Sequence, residues 1–214
     1  MENNEHIVKT GTTTVGLICK DGIVLAADKR ATSGYLVADK MTDKISNLND
    51  NIVVTMAGTA SDAQLMIKLS QSEIRLKKIR TSQEVTVKEA ANLMARMVYN
   101  NVRRMSMIPG ISHFIMGGID NTGFYLYDIF ADGTITECKD FISSGSGSVM
   151  AYGVLETMYK PGLSLDEGIS IVKKCVNAAI QRDIASGNGI DIYTVTSAGA
   201  KKVFHQEIES KIES

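Results

Sequence analysis

The order of strand-like and helix-like segments is the feature of this 214-residue sequence that most constrains its fold. Apolar runs predict strands throughout the first quarter, and apolar residues at helical spacing then predict two helices between about residues 61 and 105. A second block of strands, a second pair of helices and a final hairpin follow. Because the helices come in pairs, strands within each block can join by hairpins and pair antiparallel. We therefore predict an α+β chain folded as a four-layer αββα sandwich, with two antiparallel sheets face to face and a helix pair outside each.

Local signals place the element boundaries. Sequences of capping-box form predict three helix starts, at Ser61-Asp62-Ala63-Gln64, Thr86-Val87-Lys88-Glu89 and Ser164-Leu165-Asp166-Glu167. The second helix is predicted to run to about Met105, with a stop at Pro109-Gly110, and the last helix to about Ser186. Segments 47–51 and 143–148 are predicted as loops, the latter feeding a helix over 149–159 whose first amides can hold an anion or a carbonyl. The tail up to Ser214 is predicted to be polar and weakly helical.

Composition excludes several classes of function. The net charge of −1 without a basic block disfavours nucleic acid as a partner, and no apolar run approaches the ~20 residues of a membrane span. Three scattered cysteines without Cys-x-x-Cys spacing argue against disulfides and zinc, and favour a reducing cytoplasm. With three isolated histidines and no Gly-x-Ser-x-Gly elbow, a Ser-His-Asp hydrolase is disfavoured. We expect a cytoplasmic protein without a metal or another cofactor.

Residues 9–16, Lys-Thr-Gly-Thr-Thr-Thr-Val-Gly, have two interpretations. They are typical of an edge strand that begins after a glycine turn. Alternatively, cleavage of the Gly11–Thr12 bond would give Thr12 a free amine beside its own hydroxyl, so that nucleophile and general base share one residue. The charged run Asp28-Lys29-Arg30, one hairpin away, is either a solvated strand end or part of the same site.

Six motifs along the chain closely resemble the catalytic β subunit of the 20S proteasome, in its archaeal type. They are Gly-Thr-Thr-Thr-Val-Gly at 11–16, Ala-Asp-Lys-Arg-Ala-Thr at 27–32, Asp-Lys-Ile at 43–45, Met-Ala-Gly-Thr-Ala-Ser-Asp at 56–62, Ser-Gly-Ser-Gly-Ser at 144–148 and Gln-Arg-Asp-Ile-Ala-Ser-Gly at 181–187. One such motif is weakly specific, but six in the family order are highly specific. The resemblance implies an N-terminal-nucleophile threonine endopeptidase that degrades unfolded proteins inside a closed chamber.

The same resemblance implies a domain organisation and partners. Residues 1–11 would be a propeptide removed by autocatalytic cleavage after Gly11, and residues 12–214 a single catalytic domain. The partners would be other β subunits in a seven-membered ring, a second stacked β ring, proteasome α subunits and a regulatory ATPase, with proteins as substrates.

The resemblance also assigns roles to residues of this sequence. Thr12 is the implied nucleophile, and Asp28 and Lys44 are the carboxylate and lysine beside it. The implied holders of the threonine amine and its water are Ser146, Asp183 and Ser186, and Arg30 is the implied supporting residue. The Gly58 N–H would help to form the oxyanion hole. Thr32 and Ala60 would bind the substrate main chain, and the pocket for the residue before the scissile bond would be lined by Ala31, Thr42, Met56 and Ala60.

Two rival functions remain open from the sequence. One is another N-terminal-nucleophile enzyme, such as the bacterial heat-shock-locus protease or a small-molecule amidase. The other is a non-catalytic ring subunit of the proteasome α type. The sequence also leaves open whether the Thr12 amine or Lys44 accepts the proton.

Overall fold

The computed structural model describes residues 11–107 and 110–208. Residues 1–10 of the predicted propeptide, the predicted stop at Pro109 and the predicted helical tail beyond residue 208 lie outside this part of the chain. The described helices are α1 Ala60–Thr81, α2 Val87–Val102, α3 Ser148–Met158 and α4 Leu165–Arg182. The strands are β1 Thr14–Cys19, β2 Gly22–Asp28, β3 Ala31–Ser33, β4 Leu36–Asp39, β5 Ile45–Asn49, β6 Ile52–Gly58, β7 Ser112–Asp120, β8 Gly123–Ile129, β9 Ile135–Cys138, β10 Phe141–Ser144, β11 Gly189–Thr196 and β12 Gly199–Glu207.

Two five-stranded sheets form the centre of the molecule. The first has the order β10-β1-β2-β11-β12 and the second the order β5-β6-β7-β8-β9. Neighbouring strands pair antiparallel in both sheets. The short strands β3 and β4 form a separate hairpin.

Three apolar clusters define four layers. One cluster lies between the sheets and includes Ile23 and Leu25 of β2 with Ile115 and Leu126 of the facing sheet. The second joins α1 and α2 to the second sheet, and the third joins α3 and α4 to the first sheet. Strand β2 is buried along its whole length because it is covered on both faces, which explains its nearly continuous apolar sequence. The predicted αββα sandwich is confirmed.

Two of the three predicted capping boxes are present. Thr86 and Ser164 each accept a hydrogen bond from the amide three residues later, and the glutamate at that position accepts one from the cap amide. The box predicted at Ser61 is wrong, because α1 already begins at Ala60 with Thr59 as its N-cap and no side-chain cap bond. The strand-to-helix turn is made instead by Gly58, whose φ of 98° suits glycine.

The structure corrects several predicted boundaries. Residues 47–49 of the predicted loop over 47–51 belong to strand β5, because its backbone groups pair with β6. Residues 141–144 form strand β10 on the edge of the first sheet, so the predicted serine–glycine loop shortens to 145–147. Helix α2 ends at Val102 and helix α4 at Arg182, both earlier than predicted. The segment 183–188 is consequently a loop.

Within the described ranges, no helix combines the length and the apolar character needed to cross a lipid bilayer.

Candidate active site

Three of the predicted site residues meet where β1, β2 and β5 begin or end. Thr12 precedes β1, Asp28 ends β2 and Lys44 precedes β5. The antiparallel pairing of β1 with β2 brings the first two together, and the Asp28 amide donates to the Thr13 carbonyl at 3.1 Å. All three residues are buried, with exposed fractions of 6% for Thr12, 1% for Asp28 and 4% for Lys44.

The Asp28 carboxylate is the centre of the hydrogen-bond network. Its Oδ1 accepts from Lys44 Nζ at 2.7 Å and from the Thr13 amide at 2.9 Å. Its Oδ2 accepts from the amides of Arg30 at 3.0 Å and Gly187 at 2.9 Å. Four donors therefore compensate the burial of this charge, which would otherwise be costly.

Lys44 is a buried lysine that lines the same pocket as Thr12. Burial lowers the pKa of its ammonium, and the attraction of Asp28 only partly opposes this effect. Removing the proton from Lys44 is therefore easier than from a lysine in water. A lysine of this kind is suited either to placing a positive charge beside a hydroxyl or to exchanging a proton with it.

The Gly11–Thr12 peptide bond lies inside this arrangement. Thr12 Oγ1 donates to the Gly11 carbonyl oxygen at 2.6 Å, and the Thr12 amide donates to Ser146 Oγ at 3.2 Å. The Gly11 amide donates to Thr32 Oγ1 at 3.1 Å. These contacts hold both sides of the Gly11–Thr12 bond, which is predicted from the sequence to be cleaved.

Gly11 is closely packed against the loop that follows α4. A Cβ atom built on Gly11 would lie 1.8 Å from the Ala185 Cβ and 2.8 Å from Ser146 Oγ. Such distances are far inside van der Waals contact, so a side chain at this position requires the loop to move.

A second network holds the nitrogen side of Thr12. Asp183 Oδ2 accepts from Ser146 Oγ and from Ser186 Oγ, each at 2.6 Å. The Ser186 hydroxyl also lies 2.6 Å from Thr13 Oγ1. Because Ser186 donates its one proton to Asp183, the Thr13 hydroxyl is the donor of this last bond. The structure therefore brings Ser146, Asp183 and Ser186 together beside Thr12.

The Arg30 side chain is hydrogen-bonded to the loop over 183–188 and does not contact Asp28. Its Nε donates to Asn188 Oδ1 at 2.7 Å and its Nη1 to the Ile184 carbonyl at 2.9 Å. Only the backbone amide of Arg30 contacts the Asp28 carboxylate. The predicted supporting role is consistent with this contact pattern.

Lys29 lies between Asp28 and Arg30 in sequence but belongs to a different ion-pair cluster. The buried ammonium donates to Asp43 at 2.8 Å and to Asp191 at 3.0 Å. Burial acts to lower the pKa of Lys29, but these two hydrogen bonds outweigh it and the pKa is raised. Since Asp43 precedes Lys44, the cluster ties the segment carrying Lys44 to β11 of the first sheet.

A small pocket opens beside Gly11 and Thr12. The residues predicted for substrate binding all line it, namely Ala31, Thr32, Thr42, Met56, Gly58 and Ala60. Ala57 and Ala63 line it too, and they are not among the predicted residues. Its walls are mostly apolar, and no described residue that lines it carries a carboxylate. A Cβ at Gly58 would lie 2.2 Å from the Ile111 carbonyl oxygen, so this wall of the pocket requires glycine.

The structure adds further residues that the sequence prediction missed. Gly145 and Gly147 approach the threonines so closely that a Cβ would lie 2.0 Å from the Thr12 carbonyl oxygen and 1.9 Å from Thr13 Oγ1, respectively. The Gly147 amide, at the N-cap of α3, donates to the Thr12 carbonyl at 3.3 Å, as expected for a helix start that holds a carbonyl.

One sequence signal was available for Ala63, because it follows Ala60 at helical spacing and so shares its face. Asn188 carries no such local signal, and nothing in the motif at 11–16 distinguishes Thr13 from Thr14.

In residues 11–107 and 110–208, no group of three or more His, Cys, Asp and Glu side chains is arranged to hold a metal ion.

Comparison with known proteins finds relatives that are described as proteasome subunits. A family model described as "Proteasome subunit" matches residues 8–195. The chain is 41% identical over 203 residues to a "Proteasome subunit beta" of Ferroglobus placidus, covering 95% of each sequence. It is 38% identical over 213 residues to the protein of that description from Methanothermobacter thermautotrophicus, covering 99% of each. A third relative, from Methanocaldococcus vulcanius, is 40% identical over 199 residues, which are 92% of this chain and 87% of the relative.

Proposed function

The chain belongs to the proteasome subunit family as a β-type member, and on this premise we propose that it is a threonine endopeptidase of the 20S core with Thr12 as its nucleophile. The observation that carries the proposal is the hydrogen bond from Thr12 Oγ1 to the Gly11 carbonyl oxygen, at 2.6 Å, in a pocket that Lys44 also lines. A threonine hydroxyl is a weak nucleophile and needs a base or a neighbouring charge to activate it. The Lys44 ammonium, which Asp28 holds at 2.7 Å, supplies that charge.

The first reaction is cleavage of the chain by its own hydroxyl. Thr12 Oγ1 attacks the Gly11 carbonyl carbon, an ester C–O bond forms and the Gly11–Thr12 C–N bond breaks. The hydroxyl proton ends on the departing nitrogen, which becomes the α-amine of Thr12. Water then hydrolyses the ester, which frees the Thr12 hydroxyl and leaves a carboxylate on Gly11. Residues 1–11 are thereby released as a propeptide.

The second reaction is hydrolysis of substrates by the mature chain. An α-amine titrates near ~7.7–8.0, so it can accept the hydroxyl proton at neutral pH, whereas the amide nitrogen of the precursor cannot. The amine is oriented by Ser146, which already accepts a hydrogen bond from this nitrogen. The positive charge of Lys44 favours the alkoxide of Thr12. The Gly58 N–H donates to the developing oxyanion, an interaction typically worth ~10²–10³ in rate. Water then releases the acyl group from Thr12.

The proposed partners follow from the family. We place the chain in a seven-membered β ring, stacked on a second β ring between rings of α subunits, with a regulatory ATPase delivering unfolded proteins. The compartment we propose is the cytoplasm. Sequestration of the sites in a closed chamber would keep a protease with an apolar pocket of low specificity away from folded cellular proteins.

The intact mass of the assembled chain tests the proposal. Self-cleavage predicts a chain that starts at Thr12, with release of residues 1–11. A chain that keeps these residues after assembly would favour the non-catalytic ring subunit. Parallel assays on casein and on simple amides distinguish the alternatives, because a small-molecule amidase would hydrolyse only the amides.

Replacing Gly11 with alanine is expected to slow maturation without harming the mature enzyme. The added methyl would meet the Ala185 Cβ at 1.8 Å, which displaces the scissile carbonyl or the loop beside it. A displacement of about 1 Å can cost ~10²-fold in rate. The measurement is the uncleaved fraction against time, by intact mass.

The control for this experiment is the activity of the cleaved fraction. Residue 11 departs with the propeptide, so cleaved Gly11→Ala and wild-type particles should have the same kcat. Wild-type maturation of Gly11→Ala would contradict the proposed close packing at the cleavage site.

The pocket predicts a preference for large apolar residues before the scissile bond. Its apolar wall includes Met56, whose flexible thioether side chain adapts to different shapes. Among the residues that the structure describes, none that lines the pocket carries a carboxylate, so a basic side chain would be desolvated without a partner. Fluorogenic peptides ending in leucine or tyrosine should therefore be cleaved with a higher kcat/KM than the same peptides ending in arginine. Faster cleavage after arginine would exclude this assignment of the pocket.

A further inference from the structure

The side chains of a serine, a histidine and an aspartate are linked by hydrogen bonds into a chain outside the site described above. Ser144 Oγ lies 2.7 Å from His113 Nδ1, and His113 Nε2 contacts Asp128 Oδ1. Ser144 ends β10, His113 is in β7 and Asp128 is in β8. The chain therefore connects the edge of the first sheet to two neighbouring strands of the second sheet. The ring of Phe130 packs edge-on against the imidazole, with centroids 4.9 Å apart.

This chain is not a second hydrolytic site. In a Ser-His-Asp hydrolase the serine bonds to Nε2 and the aspartate to Nδ1, whereas here the two ring nitrogens are exchanged. The serine is also only 3% exposed, so no substrate can reach its hydroxyl. Because a carboxylate only accepts hydrogen bonds, Nε2 carries a proton. In the neutral ring Nδ1 is then an acceptor, and Ser144 donates to it.

Ser144 immediately precedes the 145–147 turn that holds Thr12. Gly145 packs against the Thr12 carbonyl with φ of 93°, and the Gly147 amide donates to that carbonyl at 3.3 Å. Between them, Ser146 Oγ accepts from the Thr12 nitrogen at 3.2 Å. The position of Thr12, just before β1, therefore depends on where this turn lies.

Strand β10 is an edge strand, so β1 is its one neighbouring strand in the described sheet, and the Ser143 amide donates to Tyr152 Oη at 3.2 Å. The hydrogen bond between Ser144 Oγ and His113 Nδ1 connects the side chains of this strand end and the second sheet. Asp128 fixes the tautomer and orientation of the imidazole that receives it. We propose that Asp128, His113 and Ser144 are positioning residues, which hold the 145–147 turn on Thr12 and so set the geometry of the nucleophile. This inference rests on the proposed function, since it assigns the three residues a role in Thr12 chemistry.

Three variants test the proposal in assembled particles: His113→Ala, Ser144→Ala and the double variant. Each single variant should lower kcat on a fluorogenic leucine-ended peptide by roughly 10-fold, because a small displacement of a reacting group is costly. The pocket residues lie on other segments, so KM should stay within about twofold of wild type, the scatter of ordinary context effects. Since both residues act through one hydrogen bond, the double variant should lose no more than the more impaired single variant. All rates are normalised to the cleaved fraction measured by intact mass.

Two matched variants separate positioning from general damage. Ser144→Thr keeps a hydroxyl and should restore most of the kcat that Ser144→Ala loses. His205→Ala removes another histidine, on β12 away from the pocket, that is hydrogen-bonded to an aspartate, Asp191. Asp191 keeps its ion pairs with Lys29 and Lys202, so kcat should be unchanged. If His113→Ala does not assemble, the pair Ser144→Ala and Ser144→Thr carries the test, because these variants differ from wild type by single small groups.

The outcomes are distinct from those of the proposed function. Three results would each overturn the positioning role. They are an unchanged kcat in Ser144→Ala, a loss of kcat in His205→Ala as large as that in His113→Ala, and losses that multiply in the double variant. Activity that persists in Thr12→Ala particles would instead overturn the proposed function and leave the wild-type reference without a threonine mechanism.

Discussion

Replacing Thr12 with alanine is expected to abolish both the cleavage after Gly11 and the hydrolysis of peptides. The Thr12 hydroxyl is the nucleophile of both reactions, and it already contacts the Gly11 carbonyl oxygen at 2.6 Å. Loss of the nucleophile of a hydrolase can lower kcat by roughly 10⁶, which in practice means the assay background. Particles assembled only from Thr12→Ala chains should keep residues 1–11, as measured by intact mass.

Thr14→Ala is the matched control. Thr14 is as deeply buried as its neighbours, but its hydroxyl only approaches the Ser144 carbonyl at 3.5 Å. This variant should still be cleaved and should remain active. If Thr12→Ala were trimmed after Gly11 in the absence of any wild-type chain, self-cleavage would be wrong, and a separate protease would have to remove residues 1–11.

The layered fold was predictable because every apolar face must be covered. Paired helices between blocks of strands leave few other ways to bury a strand such as β2, whose seven residues are all buried. The errors occurred where a distant contact outweighs a local signal. Residues 183–186 continue the helical pattern of α4, yet the Asp183 carboxylate is held by Ser146 and Ser186, and the chain leaves the helix there. The capping box at Ser61 was displaced by the tight turn at Gly58.

The site was predictable only in part. The six motifs carried the resemblance, and the residues taken from them converge in space, although Thr12 and Asp183 are far apart in sequence. Side-chain contacts between the two sheets left no pattern to follow. Ser144 belongs to one of the motifs but His113 does not, and only the packing of two sheets brings them within 2.7 Å. Lys29 was visible as one of three consecutive charges, but its pairing with Asp191 was not.

Removing either member of the Lys44–Asp28 pair is expected to lower kcat by about 10²–10⁴-fold, the usual contribution of a positioned acid or base. Lys44→Met removes the charge that favours the Thr12 alkoxide. Asp28→Ala removes the anion that holds this ammonium at 2.7 Å, and also an acceptor for the Thr13 amide next to the nucleophile. Both variants should accumulate chains that keep residues 1–11. Lys77→Met is the control, because it breaks an ion pair with Glu89 that is exposed and far from the pocket lining, and it should keep the wild-type kcat.

Asp28→Ala and Lys44→Met should differ in stability, although we expect similar losses of kcat from both. Without Lys44, the Asp28 carboxylate still accepts from three backbone amides, those of Thr13, Arg30 and Gly187. Without Asp28, no other described residue accepts a hydrogen bond from the buried Lys44 ammonium. An uncompensated buried charge typically costs ~3–5 kcal/mol, so Asp28→Ala should have the lower thermal midpoint. Equal midpoints would mean that the backbone amides contribute little to holding the carboxylate, and that the ion pair alone stabilises this end of the two sheets.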